Sequence, residues 1–228
     1  MNILCTICAR ANSKGLRNKN IKKLNGIPLI VHTIAQAKRT KLFSHIVLST
    51  DSDKIEKICI KEGVKSIGKR PKYLSNDSIS KINVIQHLVK NFEKTINKSF
   101  DIIVDLDVTS PLRNISDITQ AISLFKKKKA DNLITACKAK KNPYFNMVEL
   151  NNNKISLVKN FNKKITSRQT APTVYEMNAS LYIWKRSVLF SKNCLFRKNT
   201  ILFEMPNERS VDIDSIQDFN YVKFLMSK

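Results

Sequence analysis

The sequence contains few acidic residues and no long apolar run. Its 228 residues include 18 Asp and Glu against 41 Lys and Arg, so the formal net charge is 41 − 18 = +23. No segment approaches the roughly 18 consecutive apolar residues that span a membrane. Residues 1–8 also lack the charged start and the long apolar stretch of a signal peptide. These absences predict a cytoplasmic protein that does not enter a membrane.

The cysteines do not form a recognisable framework. They are odd in number and scattered, at positions 5, 8, 59, 137 and 194, which excludes the pattern of a secreted disulfide-rich domain. Cys5 and Cys8 form a CxxC pair, but they lie in an apolar strand-like run, where residues three apart point to opposite faces. No second CxxC and no HxxxH completes a zinc site. The pair is therefore predicted to be two small buried residues.

The excess of positive charge points first to nucleic acid or an anionic membrane as partner. However, the lysines are spread over most segments, and hydrophobic residues make up 42% of the chain, enough for a packed core. We find neither a basic patch with interleaved aromatic residues nor a recognition helix. A basic nucleic-acid-binding protein stays an alternative, but neither nucleic acid nor a membrane is the expected partner.

Short apolar strands alternate with amphipathic helices along the chain. Strands are predicted at 3–8, 45–50, 102–104, 133–137, 180–184 and 201–204, and helices at 28–38, 54–62, 78–96, 115–129 and 215–226. Residues 142–175 break this rhythm with two short strands around Asn151-Asn152-Asn153, a hairpin signal. The pattern predicts one α/β domain over 1–228, with a mostly parallel sheet, helices on both faces and an antiparallel insert at 142–175.

A polar loop follows the first strand, and it carries the groups that bind anions. Arg10, Ser13, Lys14, Gly15 and Lys19 combine cationic, hydroxyl and flexible backbone groups that suit a polyphosphate. The loop is neither a Walker loop nor a GxGxxG loop. In an open α/β sheet, ligands bind at the carboxyl ends of the strands, where this loop begins. A solvated basic loop is the alternative interpretation.

Two pairs of alternating carboxylates accompany this loop. Asp105 and Asp107 project to the same side near the end of the third strand, and Asp212 and Asp214 repeat the spacing near the C-terminus. Paired carboxylates beside a polyphosphate loop suit Mg²⁺, which takes one or two carboxylates plus phosphate oxygens. The alternative for the second pair is capping of the helix that begins near Ser215.

Several motifs together resemble the acylneuraminate cytidylyltransferase family, also called CMP-sialic acid synthetases. They run from near the N-terminus to the last helix, at residues 7–20, 49–51, 70–71, 74–77, 109–113, 168–169, 178–183 and 212–214. The resemblance implies a Rossmann-like nucleotidyltransferase fold and a homodimer, with a dimerisation subdomain at 142–175 and a partner subunit that reaches into the active site. It also implies transfer of CMP from CTP to an acidic nine-carbon sugar, with Mg²⁺ and release of pyrophosphate, for cell-surface glycan biosynthesis.

The same resemblance implies roles for individual residues. The residues expected to bind CTP are Arg10, Asn12, Ser13, Lys14, Gly15, Lys19, Asn20, Arg70 and Ser80. The residues expected to bind the sugar are Asp107, Thr109, Ser110, Arg168, Gln169, Tyr175, Asn178 and Ser180. Asp212 and Asp214 are the expected Mg²⁺ ligands, and the catalytic set is Arg10, Lys19, Asp107, Asp212 and Asp214.

One departure from the family bears on the sugar. Many sialic acid synthetases have Gln where this chain has Asp107, and an acid there is suited to orient or deprotonate the attacking hydroxyl or to help hold a metal. This departure, with 142–146 and 175–180, resembles the branch that activates legionaminic acids. A legionaminic-type sugar is therefore favoured, with N-acetylneuraminate next, and pseudaminate or 3-deoxy-manno-octulosonate as the alternatives.

Overall fold

Strands and helices alternate along the chain as the hydrophobic pattern predicts. A computed structural model describes residues 1–11, 15–76, 78–161 and 165–227. The strands are β1 Ile3–Cys8, β2 Lys23–Leu24, β3 Ile27–Pro28, β4 His45–Ser49, β5 Lys65–Ser66, β6 Ile102–Leu106, β7 Asn132–Lys138, β8 Val148–Asn151, β9 Lys154–Leu157, β10 Tyr175–Lys185 and β11 Thr200–Glu204. The α-helices are α1 Leu29–Thr40, α2 Asp53–Lys61, α3 Lys81–Ile96, α4 Ile115–Lys127, α5 Arg186–Leu189 and α6 Ile216–Leu225.

Seven of the strands form one central sheet in the order β11-β7-β10-β6-β1-β4-β5. Strand β10 runs antiparallel to both of its neighbours, β6 and β7, and every other neighbouring pair in this sheet is parallel. The α/β class with a mostly parallel sheet is thus confirmed. The sheet brings the carboxyl ends of β1, β4 and β6 to one edge, next to the start of β10.

Helices cover both faces of the sheet. On one face, α1, α2, α4 and α6 pack over a core that includes Cys5, and on the other face α3 and α5 pack over a second core that Cys8 borders. The two cysteines therefore point to opposite faces, as the strand geometry predicts, and all five cysteines are free thiols. Burial raises the pKa of Cys8 to about 12, which favours the protonated thiol at neutral pH.

Side-chain caps fix where α2, α3 and α6 begin. Ser52 accepts a hydrogen bond from the backbone N–H of Ile55 and begins α2. Ser80 caps α3 in the same way. Ser215 and Asp218 form a reciprocal capping box at the start of α6. Because Ser215 is the cap, α6 does not need Asp212 or Asp214, and the capping alternative for these two carboxylates loses its basis.

The irregular stretch of the sequence forms a separate two-stranded hairpin. Strands β8 and β9 pair antiparallel with each other and with no strand of the central sheet. Asn152 and Asn153, the two turn residues, both adopt positive φ, which asparagine tolerates better than most residues. Val148, Leu150 and Ile155 are mostly exposed on this hairpin, at 65%, 66% and 73%. In the described chain, no helix is both long and apolar enough to cross a bilayer.

Candidate active site

A polar pocket of about 430 Å³ opens at the carboxyl ends of β1 and β6. This edge of a parallel sheet is where open α/β folds bind their ligands. The lining side chains in the described part of the chain are predominantly polar and charged: Cys8, Arg10, Gly15, Lys19, Asn20, Asn76, Ile79, Lys81, Asp107, Thr109, Asp212 and Asp214. The pocket thus brings the loop after β1 together with Asp107 and both carboxylates of the C-terminal motif.

The loop after β1 touches the C-terminal carboxylate motif directly. A Cβ atom on Gly15 would lie 2.2 Å from the backbone oxygen of Asp214, so only glycine fits this approach. Lys19 Nζ forms an ion pair with Asp214 Oδ1 at 2.9 Å. On the other side of the loop, Asn20 donates a hydrogen bond to the backbone oxygen of Arg10 at 2.9 Å. Cationic and anionic groups of the pocket are therefore held at fixed separation.

Asp212 is a pocket carboxylate whose surroundings disfavour its charged form. Its Oδ1 is buried and has no hydrogen-bond partner among the described residues. Burial and the nearby charge of Asp107 raise the pKa of Asp212 to about 6, although a hydrogen bond from Thr109 opposes the shift. The segment is pinned by the backbone N–H of Ile213, which donates to the oxygen of Thr109 at 2.9 Å. Such an orphaned oxygen is suited to accept a cation.

The described side chains of the pocket do not complete a metal site on their own. No group of three or more His, Cys, Asp or Glu side chains with metal-site geometry occurs within residues 1–11, 15–76, 78–161 and 165–227. Asp212 and Asp214 supply two carboxylates, and Mg²⁺ commonly completes such a pair with waters and phosphate oxygens. The donor set present therefore fits Mg²⁺ delivered together with a polyphosphate.

Lys81 is a pocket residue that the sequence motifs do not reveal. Its ammonium lies 2.7 Å from Asp105 Oδ2 and 2.6 Å from Asp107 Oδ2, so the two alternating carboxylates do project to one side. Burial alone would lower the pKa of Lys81, but Asp105 and Asp107 raise it well above its usual value. The signal is its position at the first residue of α3, because helix N-termini in this fold lie at the ligand-binding edge.

Arg113 fixes the backbone beneath Asp107. It is almost fully buried, at 1% exposure, and its guanidinium donates to the backbone oxygens of Asp107 and Ser180 and to Gln36. Burial lowers the pKa of Arg113 to about 10, which still leaves it charged at neutral pH. The backbone N–H of Asp107 donates in turn to the oxygen of Ser180 at 3.1 Å. The end of β6 is thereby tied to β10.

Two residues expected at the nucleotide have partners within the chain. Arg70 is buried, and its guanidinium donates to the hydroxyl and the backbone oxygen of Ser49 at 3.0 and 2.7 Å. Ser80 caps α3 and borders an adjacent pocket. Neither lines the polar pocket. Asn12, Ser13 and Lys14, the other loop residues expected at the nucleotide, lie outside the described residues.

Three residues expected at the sugar are buried beside the polar pocket. Ser110 is fully buried. The side-chain oxygen of Asn178 accepts from Thr135 Oγ1 at 2.7 Å, and its amide donates to Ser210 at 2.9 Å. Ser180 is also fully buried and accepts from Arg113. These contacts shape the turn beneath the pocket, and none of the three side chains lines it.

The remaining sugar-site candidates lie on the insert and at the start of β10. Arg168 and Gln169 are exposed, and Arg168 donates to the backbone oxygen of Lys140 at 3.2 Å. Tyr175 donates to Glu204 at 3.1 Å, and this hydrogen bond raises the pKa of the phenol. None of these residues lines the polar pocket of its own chain. Only Asp107 and Thr109 of the expected sugar-binding residues do so.

An apolar pocket of about 310 Å³ adjoins the polar one, and Lys81 borders both. It lies between α3 and β10, and most of its lining side chains are apolar: Ile82, Ile85, Ala179, Tyr182, Trp184 and Leu195. Tyr182 and Trp184 stack on each other, with ring centroids 5.4 Å apart. The site thus combines a charged chamber with a neighbouring apolar one.

Comparison with known proteins gives the family. The model of the family described as Cytidylyltransferase matches residues 4–227, almost the whole chain. The chain belongs to the cytidylyltransferase family. The resemblance inferred from the sequence motifs is confirmed, and a cytidylyltransferase is a nucleotidyltransferase, so the chain is an enzyme. The alternative of a nucleic-acid-binding protein is not supported.

Individual relatives refine this assignment. The chain is 46% identical over 225 residues to a CMP-N,N'-diacetyllegionaminic acid synthase of Campylobacter jejuni, and the match covers 99% of this chain and 95% of that protein. It is 45% identical, at the same coverage, to post-translational flagellin modification protein B of Campylobacter coli. An N-acylneuraminate cytidylyltransferase of Streptococcus agalactiae is 30% identical, with 97% of this chain and 52% of that protein covered.

The fold of this cytidylyltransferase also has solved counterparts. A structure of a CMP:2-keto-3-deoxy-manno-octonic acid synthetase complexed with CTP superposes with a TM-score of 0.73 at 17% identity, covering 100% of this chain and 99% of that one. At this identity, the likeness bears on the fold alone. It confirms the nucleotidyltransferase type of α/β fold that the resemblance implied.

Proposed function

We propose that this cytidylyltransferase transfers CMP from CTP to the anomeric hydroxyl of a nonulosonic acid and releases pyrophosphate. The observation that carries the proposal is the polar pocket, in which cations of the loop after β1 face the carboxylates of the C-terminal motif. N,N'-Diacetyllegionaminic acid is the favoured sugar, because the relative named for it shares 46% identity, against 30% for the relative named for N-acylneuraminate. N-Acetylneuraminate is the next candidate.

The nucleotide end of the pocket carries positive charge where a triphosphate needs it. Lys19 and Arg10 line this end, and the backbone approach at Gly15 keeps the loop against Asp214. Transfer of a phosphoryl-type group depends mainly on positioning and on neutralising the charge of the phosphates. In this proposal, Arg10 and Lys19 hold the phosphates. Asn20 holds Arg10 in place by donating a hydrogen bond to the backbone oxygen of Arg10.

Asp212 and Asp214 are the proposed ligands of Mg²⁺. The fit rests on the buried Oδ1 of Asp212, which has no partner in the described part of the chain, and on the second carboxylate two residues later in the same pocket. Bound there, Mg²⁺ would withdraw charge from the α-phosphate and assist the departure of pyrophosphate. Lys19 forms an ion pair with Asp214 Oδ1. The ammonium of the loop and the carboxylate motif are therefore already next to each other before a nucleotide binds.

The sugar end combines hydrogen-bonding and apolar surface. Asp107 and Thr109 line the polar pocket and offer groups that bind hydroxyls. The adjoining apolar pocket, with the stacked rings of Tyr182 and Trp184, suits methyl-bearing substituents. A sugar with two acetyl groups carries two such methyls, which supports the diacetylated substrate.

A second copy of the chain is the proposed partner, joined through the β8–β9 hairpin. Val148, Leu150 and Ile155 leave a mostly exposed apolar surface there, and apolar surface of this kind is typical of an interface. Arg168 and Gln169 lie on the same insert and do not line the pocket of their own chain. In a dimer we infer that Arg168 serves the neighbouring pocket, where its guanidinium suits the sugar carboxylate.

Pyrophosphate release tests this function. Purified protein is incubated with CTP, MgCl₂ and, separately, N,N'-diacetyllegionaminic acid, N-acetylneuraminic acid, pseudaminic acid and 3-deoxy-manno-octulosonic acid. We expect the highest kcat/KM with the diacetylated legionaminic acid, and no turnover by Asp214→Asn with any sugar. Thermal unfolding of the variant shows whether it is folded. No pyrophosphate from any of the four sugars, with folded wild-type protein, would overturn the proposal.

A further inference from the structure

The ammonium of Lys81 bridges two carboxylates, that of Asp105 in β6 and that of Asp107 directly after β6. Its Nζ lies 2.7 Å from Asp105 Oδ2 and 2.6 Å from Asp107 Oδ2. Asp105 is fully buried, and its other oxygen accepts a hydrogen bond from Thr6 Oγ1 at 2.8 Å. The bridge is therefore anchored in the central sheet at its Asp105 end, unlike an ion pair on a mobile surface side chain.

The same bridge holds Asp107 at the mouth of the pocket. Oδ1 of Asp107 accepts from the backbone N–H and the hydroxyl of Thr109 at 3.0 and 2.8 Å, while Oδ2 faces Lys81. The backbone below is tied to Ser180 and Arg113. Yet 19% of the Asp107 side chain stays exposed, and it lines the polar pocket. The carboxylate is fixed in orientation and still reachable by a ligand.

The charges of this cluster decide which ligand group it accepts. Two carboxylates and one ammonium leave a net charge of about −1, which disfavours another anion and favours hydroxyl donors. Burial alone would raise the pKa of Asp107, but Lys81 and Thr109 hold it well below its usual range. Such a weakly basic carboxylate is a poor proton acceptor in a reaction at neutral pH. The ammonium also occupies the space between the two carboxylates that a metal ion would need.

We propose that Lys81 is a positioning residue for the acceptor sugar, fixing Asp107 as an anionic hydrogen-bond acceptor for a sugar hydroxyl. Among the roles open to Asp107, this assigns sugar contact rather than general base or metal ligand. Lys81 acts through Asp107 and Asp105, since its short contacts with described residues are to their carboxylates. The inference rests on the proposed function.

Steady-state kinetics of Lys81→Met test this role. The variant should raise the KM for the sugar, lowering kcat/KM by about 30-fold, the typical effect of one hydrogen bond to a charged group. The KM for CTP should stay within about twofold. Because the variant leaves Asp105 buried and unpaired, Asp105→Asn/Lys81→Met is measured beside it, and it should show the same rise in sugar KM. Both are checked by thermal unfolding.

Lys185→Met is the matched control. Lys185 Nζ forms an ion pair with Asp131 Oδ1 at 3.0 Å, also with one partly buried partner, and it lines neither the polar nor the apolar pocket. This variant should leave both KM values unchanged. If the Lys81 variants resemble this control, or if they raise the KM for CTP as much as that for the sugar, Lys81 does not position the sugar.

A double-mutant cycle shows whether Lys81 acts through Asp107. Asp107→Asn should itself raise the sugar KM, and adding Lys81→Met should then change kcat/KM by less than about threefold. Independent effects that multiply would overturn the proposal. Wild-type turnover in the same assay separates the two failures: no wild-type turnover with any nonulosonic acid overturns the proposed function, whereas normal turnover with additive variants overturns only the role of Lys81.

Discussion

Replacing Asp212 by Asn is predicted to stabilise the ligand-free protein at neutral pH while abolishing CMP transfer. Oδ1 of Asp212 is buried and has no hydrogen-bond partner among the residues that the structure describes, and burial with the charge of Asp107 raises its pKa from 3.8 to about 6. A carboxyl group whose pKa is higher in the folded state favours folding while it is protonated. That contribution is fully present below the unfolded pKa near 4 and is lost as the pH rises through 6.

The magnitude follows from the difference between the two pKa values, 6 − 3.8, or about 2. Each pKa unit corresponds to about 1.4 kcal/mol, so the ionised carboxylate costs about 3 kcal/mol at pH 7.5. Asn cannot ionise and keeps an oxygen that can accept from Thr109. For a chain of this length, 1 kcal/mol shifts Tm by about 2 to 4 °C. The variant should therefore melt roughly 6 to 12 °C higher at pH 7.5.

Calorimetry of wild-type and Asp212→Asn protein from pH 5 to 8 in EDTA measures this difference. Linkage predicts that the difference in stability between variant and wild type at pH 5 is about half of that at pH 7.5. At pH 5 the carboxyl of Asp212 is still mostly protonated in the folded wild-type protein. Asp214→Asn is the control, because the Asp214 side chain is 77% exposed and no similar gain is expected. A difference in Tm that does not change with pH, or a variant less stable than wild type at pH 7.5, would contradict the prediction.

Three further predictions test the close approach at Gly15, the hydrogen bonds of Arg113 and the hairpin proposed as the dimer interface. Gly15→Ala should raise the KM for CTP at least tenfold, because its Cβ would meet the backbone oxygen of Asp214 at 2.2 Å; an unchanged KM would show that the loop does not need this approach. Arg113→Met should lower the free energy of unfolding in urea by about 3 kcal/mol, since buried carbonyl oxygens lose their donors. A loss below about 1 kcal/mol would contradict that role. Leu150→Lys/Ile155→Lys should shift sedimentation from dimer to monomer, because both side chains lie exposed on the hairpin proposed as the interface; a dimer that persists would remove the hairpin from it.

Much of the framework follows from the sequence. The buried strands β1, β4 and β6 read as apolar runs, and the rule that ligands bind at their carboxyl ends brings the loop at Lys19 next to Asp107. The loop also contacts Asp214, with Lys19 Nζ 2.9 Å from Asp214 Oδ1. The direction of β10 could not be predicted, because alternation of apolar residues is the same in parallel and antiparallel strands.

The side-chain partners were harder to predict. Arg70 belongs to a motif, but its guanidinium is taken up by Ser49, a pairing that depends on how the chain returns after β4. Lys81 belongs to no motif, yet the start of α3 brings its ammonium to Asp107. Residues far apart in sequence make these contacts, so local pattern carries little information about them.

In the proposed function, the polar pocket joins CMP to a nonulosonic acid. The most direct measurement is mass spectrometry with ³¹P NMR of the products formed from CTP, MgCl₂ and N,N'-diacetyllegionaminic acid. We expect a CMP–sugar phosphodiester with one equivalent of pyrophosphate. Unchanged CTP, or CTP hydrolysed without any sugar attached to CMP, would contradict it.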